Sequence, residues 1–437
     1  MFLLIFEWLN TNLFSQTGLL LGLIAVIGLT LQKKNVAEIL EGFVTTVLGV
    51  FIFTVGIPIV GSSASLLGNL LKPALGVTGG VIGTSNTVFT GMALGIEYLA
   101  ARVPICFIVT WFIHVLLVKL IKKLKVVYLT MQNVLSLTSC FYFFFYTVMG
   151  YTGLLLDVLS GGFTLLYITL FPMLTYKDSM AVTDGSFALG HFNHMSAWIG
   201  GKLSSLFGDS KKSAEDLTLP GWFKNFGGGG LSIAVALPIT YIVVWLIIVI
   251  GGNAEALTLL TETAGQTNSL IFMFLSAIQF TAGIYILLYG IKMFLGSLVP
   301  AFQGVSQKFL PHAAPGVDNV AFYAMAPKSV TITMISYMVG TVLVSIGCIV
   351  FKTPIFIVFN LIAAFFESCS VGAIANHKGG WKGCIVTGFV IGVVSTISMA
   401  FFTAGMGILE KGVAQINLDP NAYPAAVYYL FRLIFNK

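Results

Sequence analysis

Charged side chains are scarce in this sequence. Asp, Glu, Lys and Arg make up 9% of the 437 residues, whereas hydrophobic residues make up 57% and the mean hydropathy is +0.97. Soluble domains carry about 25% charged residues, so the composition excludes an ordinary soluble protein. The apolar residues form long continuous runs instead of short alternating segments, which excludes a β-barrel. The chain is therefore predicted to be an all-α, polytopic membrane protein.

Motifs of catalysis and of metal or cofactor binding are also missing. The five cysteines are scattered without CxxC spacing, so they are predicted to be buried free thiols. No zinc-protease, phosphate-loop or nucleophile-elbow motif occurs. We therefore expect no metal and no cofactor. The net charge of +6 needs no nucleic acid to explain it, because the lysines lie between apolar runs, as expected for cytoplasmic loops. Residues 1–8 lack a basic start and a cleavage site, so they are interpreted as a lead-in to the first span.

Long apolar runs predict the membrane-spanning helices. A helix needs about 20 apolar residues to cross a bilayer core of about 30 Å. Continuous spans are predicted at Thr17–Leu31, Gly42–Val60, Val103–Ile121, Val126–Tyr151, Leu154–Leu174, Leu231–Ile250, Leu270–Phe294, Val330–Phe351 and Cys384–Gly407.

Other apolar segments are interrupted by Gly, Pro and polar residues. They are Ser62–Glu97, Ser186–Leu206, Val299–Pro327 and Pro354–Gly380, followed by a short aromatic tail at Tyr423–Phe435. Irregular backbone persists at membrane depth only where it lines a cavity, and such broken helices are typical of transporter substrate sites. The glycine-rich stretch 76–83 is predicted to act as a hinge.

Basic loops and internal echoes indicate the organisation of the chain. Lys33-Lys34, the loop 119–125 and the loop 177–224 are predicted to be cytoplasmic, which places the N-terminus outside. Gly83-Thr-Ser-Asn86 and Gly316-Val-Asp-Asn319 share a pattern 233 residues apart. Together with weaker matches, this favours two weakly repeated halves, a common transporter plan.

Two ionisable residues in broken segments are the first site candidates. Asp318 is costly to bury unpaired, so it is predicted to contact substrate; the alternative is a cap for a short helix starting near Val320. His191 can donate, accept and titrate near neutral pH, and the alternative is a hydrogen-bonded packing residue. Either residue is a candidate proton acceptor.

Uncharged polar residues at membrane depth complete the candidate site. Such groups suit hydroxyl-rich ligands, although Ser and Asn also join helices to each other. The candidates are Ser85, Asn86, Gln132, Asn133 and Ser136.

Three further polar positions are weaker candidates. His194 and His377 occur in Asn-His pairs that are equally typical of loop structure, and Glu367 is a possible base without an assigned place. A polytopic membrane enzyme using His191, His194 and His377 is the hypothesis of another class. Asp184-Gly185 is interpreted as a turn.

Several motifs together resemble one known family. They are Val182-Thr-Asp-Gly185, Gly190-His191, Trp198-Ile199, Asp216-Leu-Thr-Leu-Pro-Gly-Trp222, Ala301-Phe-Gln-Gly-Val-Ser-Gln307, the segment from Asp318 to Pro327, and Ala375-Asn-His-Lys-Gly-Gly-Trp381. In this order they resemble the ascorbate-type membrane permease, enzyme IIC, of the bacterial phosphoenolpyruvate-dependent sugar phosphotransferase system.

The resemblance implies an architecture, a location and partners. It implies about eleven transmembrane helices with re-entrant segments, in a homodimer in the lipid of the bacterial inner membrane, with a substrate-binding core and dimerising parts interleaved. Residues 1–437 would form a single permease domain. No IIA or IIB segment is present, so separate cytoplasmic IIA and IIB subunits would supply phosphate from a phosphocysteine. The chain itself would be the membrane component of a phosphotransferase, with its enzyme status left open.

Residue by residue, the resemblance covers part of the family's contact set. His191 and Asp318 match family substrate contacts. Ser85-Asn86 stands where the ascorbate permease has Thr-Tyr, Gln132 replaces a histidine, and Ser136 replaces a glutamine. Phe192 replaces another glutamine and is kept as a candidate contact.

These departures bear on the substrate. Ascorbate is an anion, and losing a histidine while keeping Asp318 makes the field less favourable for it. The expected function is binding and translocation of ascorbate or a related sugar, sugar acid or polyol, coupled to phosphorylation by IIB. The alternative is an ion-coupled secondary transporter of the same fold without phosphotransfer.

Overall fold

A computed structural model gives the architecture. It describes residues 12, 16–76, 80–84, 92–218, 229–353, 355–357, 361–405, 413–414 and 417–435. The elements up to residue 207 are α1 (Thr17–Leu31), α2 (Val36–Ala74), β1 (Gly80–Thr84), the single turn Glu97–Ala100, α3 (Val103–Leu120), β2 (Val126–Tyr128), α4 (Met131–Phe143) continued by a π-helical turn at Phe144–Val148, α5 (Gly153–Leu170), α6 (Pro172–Val182), β3 (Ala188–Leu189) and α7 (His194–Phe207).

The elements of the second half follow a similar order. They are α8 (Gly229–Gly251), α9 (Ala254–Ala264), α10 (Ser269–Phe309), β4 (Ala314–Val317), α11 (Ala321–Met325), α12 (Pro327–Val350), β5 (Ile355–Ile357), α13 (Leu361–Gly405), β6 (Val413–Ala414) and α14 (Asp419–Phe435).

Helices dominate, and many can cross a bilayer. Within the described residues, six segments are long and apolar enough: Val36–Val60, Glu97–Leu120, Gly153–Val182, Ser269–Phe302, Pro327–Val350 and Ala363–Phe402. Two shorter apolar helices lie at Leu21–Leu31 and Leu237–Gly251. The predicted all-α, polytopic class is confirmed. The expected number of eleven spans stays a prediction.

Two of the differences between the predicted spans and the structure bear on the motifs. Val126–Tyr151 is not one continuous helix, because Val126–Tyr128 form β2 and the helix α4 that follows has 13 residues, or about 20 Å. β-branched and aromatic residues favour this short buried strand. Cys384–Gly407 belongs to a longer helix, α13, whose kink lies at Gly379 and Gly380 (φ 62°). The Asn-His-Lys-Gly-Gly motif therefore leads into a kink, and only glycine readily adopts the positive φ there.

The long helices α2 and α10 cross at very short range. A Cβ added at Gly290 of α10 would lie 2.4 Å from the backbone N of Phe53, and one added at Gly49 of α2 would lie 2.6 Å from the N of Phe294. Small residues let helix backbones approach this closely in a membrane. These glycines therefore fix the crossing of the two helices.

In the described part of the chain, six strands form two small parallel sheets that exchange strands between the halves. β1 pairs with β5 and β6, and β4 pairs with β2 and β3. The central strand of each sheet thus comes from one half and both its neighbours from the other. In register, Gly83 pairs with Val413, just as Gly316 pairs with Ala188. The predicted echo at positions 83 and 316 therefore corresponds to equivalent places in the two sheets.

The segment after α7 is held against α12. The Glu215 carboxylate accepts hydrogen bonds from the backbone N–H groups of Lys328 (3.2 Å) and Ser329 (2.8 Å), at the N-terminus of α12. The Lys328 Nζ donates to the carbonyls of Glu215 (2.6 Å) and Leu217 (2.9 Å). A carboxylate at a helix N-terminus satisfies backbone N–H groups and complements the helix dipole. Part of the Asp216–Trp222 motif, residues 219–222, lies outside the described residues.

Candidate functional site

Three strand ends bring the ionisable candidates together. In the sheet β2-β4-β3, the strands run parallel, so their carboxyl ends meet at one edge. The backbone N–H of Gly190 donates to the carbonyl of Val317 (2.8 Å), one residue before Asp318. Ligand sites in parallel sheets form at the carboxyl ends of strands. His191 and Asp318 therefore emerge side by side from two interrupted segments.

Glycine at position 190 is required by this close approach. A Cβ there would lie 2.4 Å from the carbonyl carbon of Gly316. The Thr130 hydroxyl donates to the carbonyl of Gly190 and ties the start of α4 to the same edge. Packing thus explains Gly190 of the Gly190-His191 motif. His191 remains the candidate for substrate contact.

Asp318 is a buried carboxylate without a salt bridge among the described residues. It is 5% exposed, and its Oδ1 accepts from the backbone N–H of Val320 at 3.2 Å. Its Oδ2 lies 3.4 Å from the Gln132 amide nitrogen, a long contact. This bond forms a turn before the short helix α11, whose N-cap residue is Val320 without a side-chain cap, and it occupies only one carboxylate oxygen. The other oxygen has capacity for a stronger donor.

The His191 ring is fixed in one tautomer by its neighbour. His191 is 2% exposed, and its Nδ1 lies 2.7 Å from the Oδ1 of Asn193. The Asn193 Nδ2 donates to the carbonyl of Glu367 at 3.2 Å, which sets the orientation of the amide. Because Oδ1 can only accept, the neutral ring carries its proton on Nδ1. Its Nε2 is then an acceptor.

Asn193 is the centre of a polar network that joins the two sheets. Its Oδ1 also accepts from the Nδ2 atoms of Asn319 (3.1 Å) and Asn417 (3.2 Å). Asn319 follows β4 and Asn417 follows β6, so the network connects strand ends from both sheets. The Asn417 Nδ2 further donates to the Oε2 of Glu367 at 3.0 Å. Glu367 is fully buried, and this places the acid that the sequence left unassigned.

Asp419 caps the helix that follows His191. Its carboxylate accepts from the backbone N–H groups of Met195 (2.8 Å) and Ser196 (3.2 Å) and from the Tyr167 hydroxyl (2.5 Å). The N-terminus of α7 is therefore already neutralised by a carboxylate of the chain itself. Sequence reasoning missed Asp419, although an Asp before a Pro is typical of a helix start.

The uncharged candidates on α4 are divided by exposure. Gln132 is exposed and reaches towards Asp318, whereas Asn133 and Ser136 are 3% and 4% exposed. The Asn133 Nδ2 is buried and has no partner within the described residues. Residues 132 and 136 share one face of the helix, since they are four apart. Ser85 and Asn86 lie outside the described residues.

Phe192 and the other histidines have different surroundings. The Phe192 ring is fully buried and packs 6.1 Å from the ring of Tyr167, within an aromatic cluster. His194 is buried, with its Nδ1 2.9 Å from the Thr175 hydroxyl. His377 is exposed near the kink of α13. Among the described residues, no group of three His, Cys, Asp or Glu side chains is placed to hold a metal.

Asp184-Gly185 forms the predicted turn. Both residues have positive φ, and the Gly185 N–H donates to the carbonyl of Met180 at the end of α6 (2.8 Å).

Fold and site together define a multi-pass α-helical membrane protein with a polar centre built from strand ends and broken helices. The family model described as the sugar-specific permease component of the PTS system (EIIC-GAT) matches residues 12–420. The chain belongs to this family, as the sequence motifs predicted, and is a multi-pass protein of the bacterial inner membrane.

A curated relative carries a more specific name. The chain is 26% identical over 433 residues to the ascorbate-specific PTS system EIIC component of Mycoplasma pneumoniae. The match covers 89% of this chain and 65% of the relative, so the chain spans just under two thirds of the length of that protein.

Proposed function

We propose that this permease binds and translocates a small hydroxylated substrate, ascorbate or a related sugar, sugar acid or polyol, while a separate IIB subunit phosphorylates it. The observation that supports this most is the pairing of a carboxylate with a fixed imidazole at adjacent strand ends. The Oδ2 of Asp318 can accept a hydrogen bond from one substrate hydroxyl, and the Nε2 of His191 can accept one from another. Such directional acceptors suit a hydroxyl-rich ligand.

The same pair supports a phosphoryl transfer step. A substrate hydroxyl oxygen attacks the phosphorus of a phosphocysteine on IIB, so the new oxygen–phosphorus bond forms as the sulfur–phosphorus bond breaks. The hydroxyl proton passes to His191 Nε2, and the thiolate remains on IIB. In phosphoryl transfer the enzyme contributes mainly positioning and charge stabilisation, so His191 and Asp318 would orient the nucleophile.

The charge of the site bears on the class of substrate that it can bind. Asp318 forms no salt bridge among the described residues, and Asp419 already occupies the N-terminus of α7. Asp318 therefore disfavours an anion at close range, and the N-terminus of α7 is not free to bind one. The charge of the site therefore favours a neutral sugar or polyol more than it would if an additional histidine were present. The name of the relative, in contrast, supports ascorbate.

Binding of radiolabelled ascorbate to the purified protein, beside Asp318→Asn, tests the site. We expect saturable binding that weakens about a hundredfold in the variant, because the loss of a charge-assisted hydrogen bond to a substrate hydroxyl outweighs the relief of repulsion between the carboxylate and the anion. Glu262→Gln on the exposed face of α9 is the matched control and should bind normally. Equal affinity in both variants would remove Asp318 from the site. If ascorbate does not bind, direct binding of labelled pentoses and polyols identifies the substrate class.

Uptake into vesicles tests coupling to phosphorylation. With phosphorylated IIB present, we expect the substrate to accumulate as its phosphate ester, and His191→Ala should abolish ester formation while Asp209→Asn should not. Substrate accumulation that depends on an ion gradient and needs no IIB would instead support the ion-coupled transporter. We further propose that the protein is a homodimer, which light scattering of the detergent-solubilised protein measures.

A further inference from the structure

A groove outside the polar centre runs along the membrane-facing side of α3 and α5. Its volume is about 550 Å³. Ile105, Val109 and Ile113 of α3 form one wall, and Val158 and Leu165 of α5 form the other. Ile105, Val109, Ile113 and Val158 are 37–60% exposed in segments that span the membrane. The groove is therefore apolar and open to the lipid phase.

Two consecutive glycines shape the groove. A Cβ at Gly161 would lie 2.9 Å from the Cys106 Sγ and from the Thr110 hydroxyl, so Gly161 lets α3 and α5 meet. A Cβ at Gly162 would have no atom within 4 Å, so Gly162 borders open space. The first glycine is explained by helix packing. The second is not, and it leaves room for a ligand.

One end of the groove is polar. The Arg102 Nη1 donates to the Oδ2 of Asp157 at 2.9 Å, and the Tyr142 hydroxyl donates to its Oδ1 at 2.6 Å. The guanidinium also lies 5.0 Å from the centre of the Tyr98 ring. The side chains of Arg102 and Asp157 are 30% and 29% exposed. The guanidinium has five N–H donors, and the bond to Asp157 uses only one nitrogen, so it can donate to a further group. A positive and a negative group thus lie side by side at the groove's end.

The length of the groove matches one leaflet. From Arg102 to Ile113 the helix rises about 16 Å, which is about half of the 30 Å hydrocarbon core. Lys119, Lys122 and Lys123 lie at the opposite end of α3 and mark the cytoplasmic side. The polar end therefore lies in the outer leaflet.

We propose that this groove binds a zwitterionic phospholipid with a primary ammonium headgroup. The phosphate lies on the Arg102 guanidinium, the ammonium on the Asp157 carboxylate, and one acyl chain along the groove. A headgroup of zero net charge complements a side-chain pair of zero net charge, whereas an anionic lipid would place its phosphate beside Asp157 without compensation. A quaternary ammonium lacks the N–H donors that the carboxylate accepts.

Native mass spectrometry of the full-length protein in micelles doped with phosphatidylethanolamine, phosphatidylcholine or phosphatidylglycerol tests the proposal. We expect phosphatidylethanolamine to be retained about tenfold more strongly than either other lipid. Gly162→Phe, five residues along α5 from Asp157, fills the groove and should abolish that retention. Leu166→Phe, one turn along α5 at an exposed position outside the groove, is the matched control and should retain the lipid.

Arg102→Gln should lose the headgroup preference, and Gly162→Phe keeps the test decisive if Arg102→Gln fails to fold. Equal lipid retention in Gly162→Phe and Leu166→Phe would overturn the proposal. So would a preference for phosphatidylglycerol. A dimer that dissociates in Gly162→Phe but not in Leu166→Phe would show that a second copy of the chain occupies the groove instead. Substrate binding is measured in parallel and should be unchanged, so this test is independent of the proposed transport site.

Discussion

At the scale of single residues, Asn193 determines the chemistry of its neighbour. Its amide oxygen meets three donors, on His191, Asn319 and Asn417, and its amide nitrogen holds the carbonyl of Glu367. In the described part of the chain, the His191 ring has its side-chain hydrogen bond with Asn193, and this bond sets the tautomer. Asn193 is therefore a positioning residue, which acts on the substrate through the imidazole.

Replacing Asn193 by Ala should impair substrate binding without preventing folding. We expect the dissociation constant to rise about tenfold, since the imidazole can then carry its proton on either nitrogen. The pH profile of binding should change as well, because the histidine loses the acceptor that fixes its proton. Isothermal titration across pH values measures both effects.

Asn253→Ala is the matched control for Asn193→Ala. Asn253 caps α9 by accepting from the backbone N–H of Ala256, away from the strand ends. Its loss should lower the free energy of unfolding by about 1 kcal/mol and leave binding unchanged. If Asn193→Ala also lowers the free energy of unfolding but leaves substrate binding unchanged, Asn193 is not a positioning residue.

The sequence predicts the ionisable pair but not its supporting residues. Asp318 and His191 stand out because charged or titratable groups are rare in broken apolar segments. Asn319 stands out only as part of the pattern shared with Asn86, and Asn417 does not stand out. The two lie 98 positions apart, and their contact with Asn193 of the first half depends on strand exchange. Phe192 stays a predicted contact through its match to a family contact position. Its ring lies 5.4 Å from the ring of His191 and packs into the aromatic cluster, which the sequence does not predict.

At the scale of elements, glycines decide where helices meet. Gly290 and Gly296 lie on the same helix, α10, yet a Cβ at Gly290 would lie 2.4 Å from Phe53 N and one at Gly296 would meet no atom within 4 Å. Composition cannot distinguish the two glycines, because the difference depends on the position of α2. The same limit explains why the strand at Val126–Tyr128 was predicted as helix: short apolar runs fit both structures.

The pair provides a matched prediction. Gly290→Ala should lower the free energy of unfolding by about 1–3 kcal/mol, because overpacking forces α2 and α10 apart. Gly296→Ala should leave it unchanged or raise it by up to about 1 kcal/mol, since alanine favours the helix. Thermal unfolding in detergent, followed by circular dichroism, measures both. Equal effects would mean that the two helices do not cross as described.

At the scale of the whole molecule, neither half can complete a sheet. β1 lies between β5 and β6, and β4 lies between β2 and β3. A buried strand without its partners leaves backbone groups unpaired at a cost of several kcal/mol for each unsatisfied group in a membrane. The two halves are therefore one folding unit, although the repeat alone would suggest two independent ones.

Cutting the chain between Gly252 and Asn253, in the turn after α8, tests this dependence. We expect the fragments 1–252 and 253–437 to be degraded when expressed singly and to assemble when expressed together. Co-purification through a tag on one fragment measures assembly. The intact chain carrying the same tag is the reference. A stable, monodisperse single fragment would argue against the exchange of strands.

The exchange of strands also means that a strand of the first half must be synthesised long before its partners. Ile355 pairs with Gly80 but is synthesised 275 residues later. At translation rates of roughly 5–20 residues per second, β1 waits about 14–55 s for its first partner. During that interval the early helices are inserted while the polar centre is still open. Final assembly is thus a step that follows insertion of the early helices, because neither sheet is complete until the strands of the second half have been synthesised.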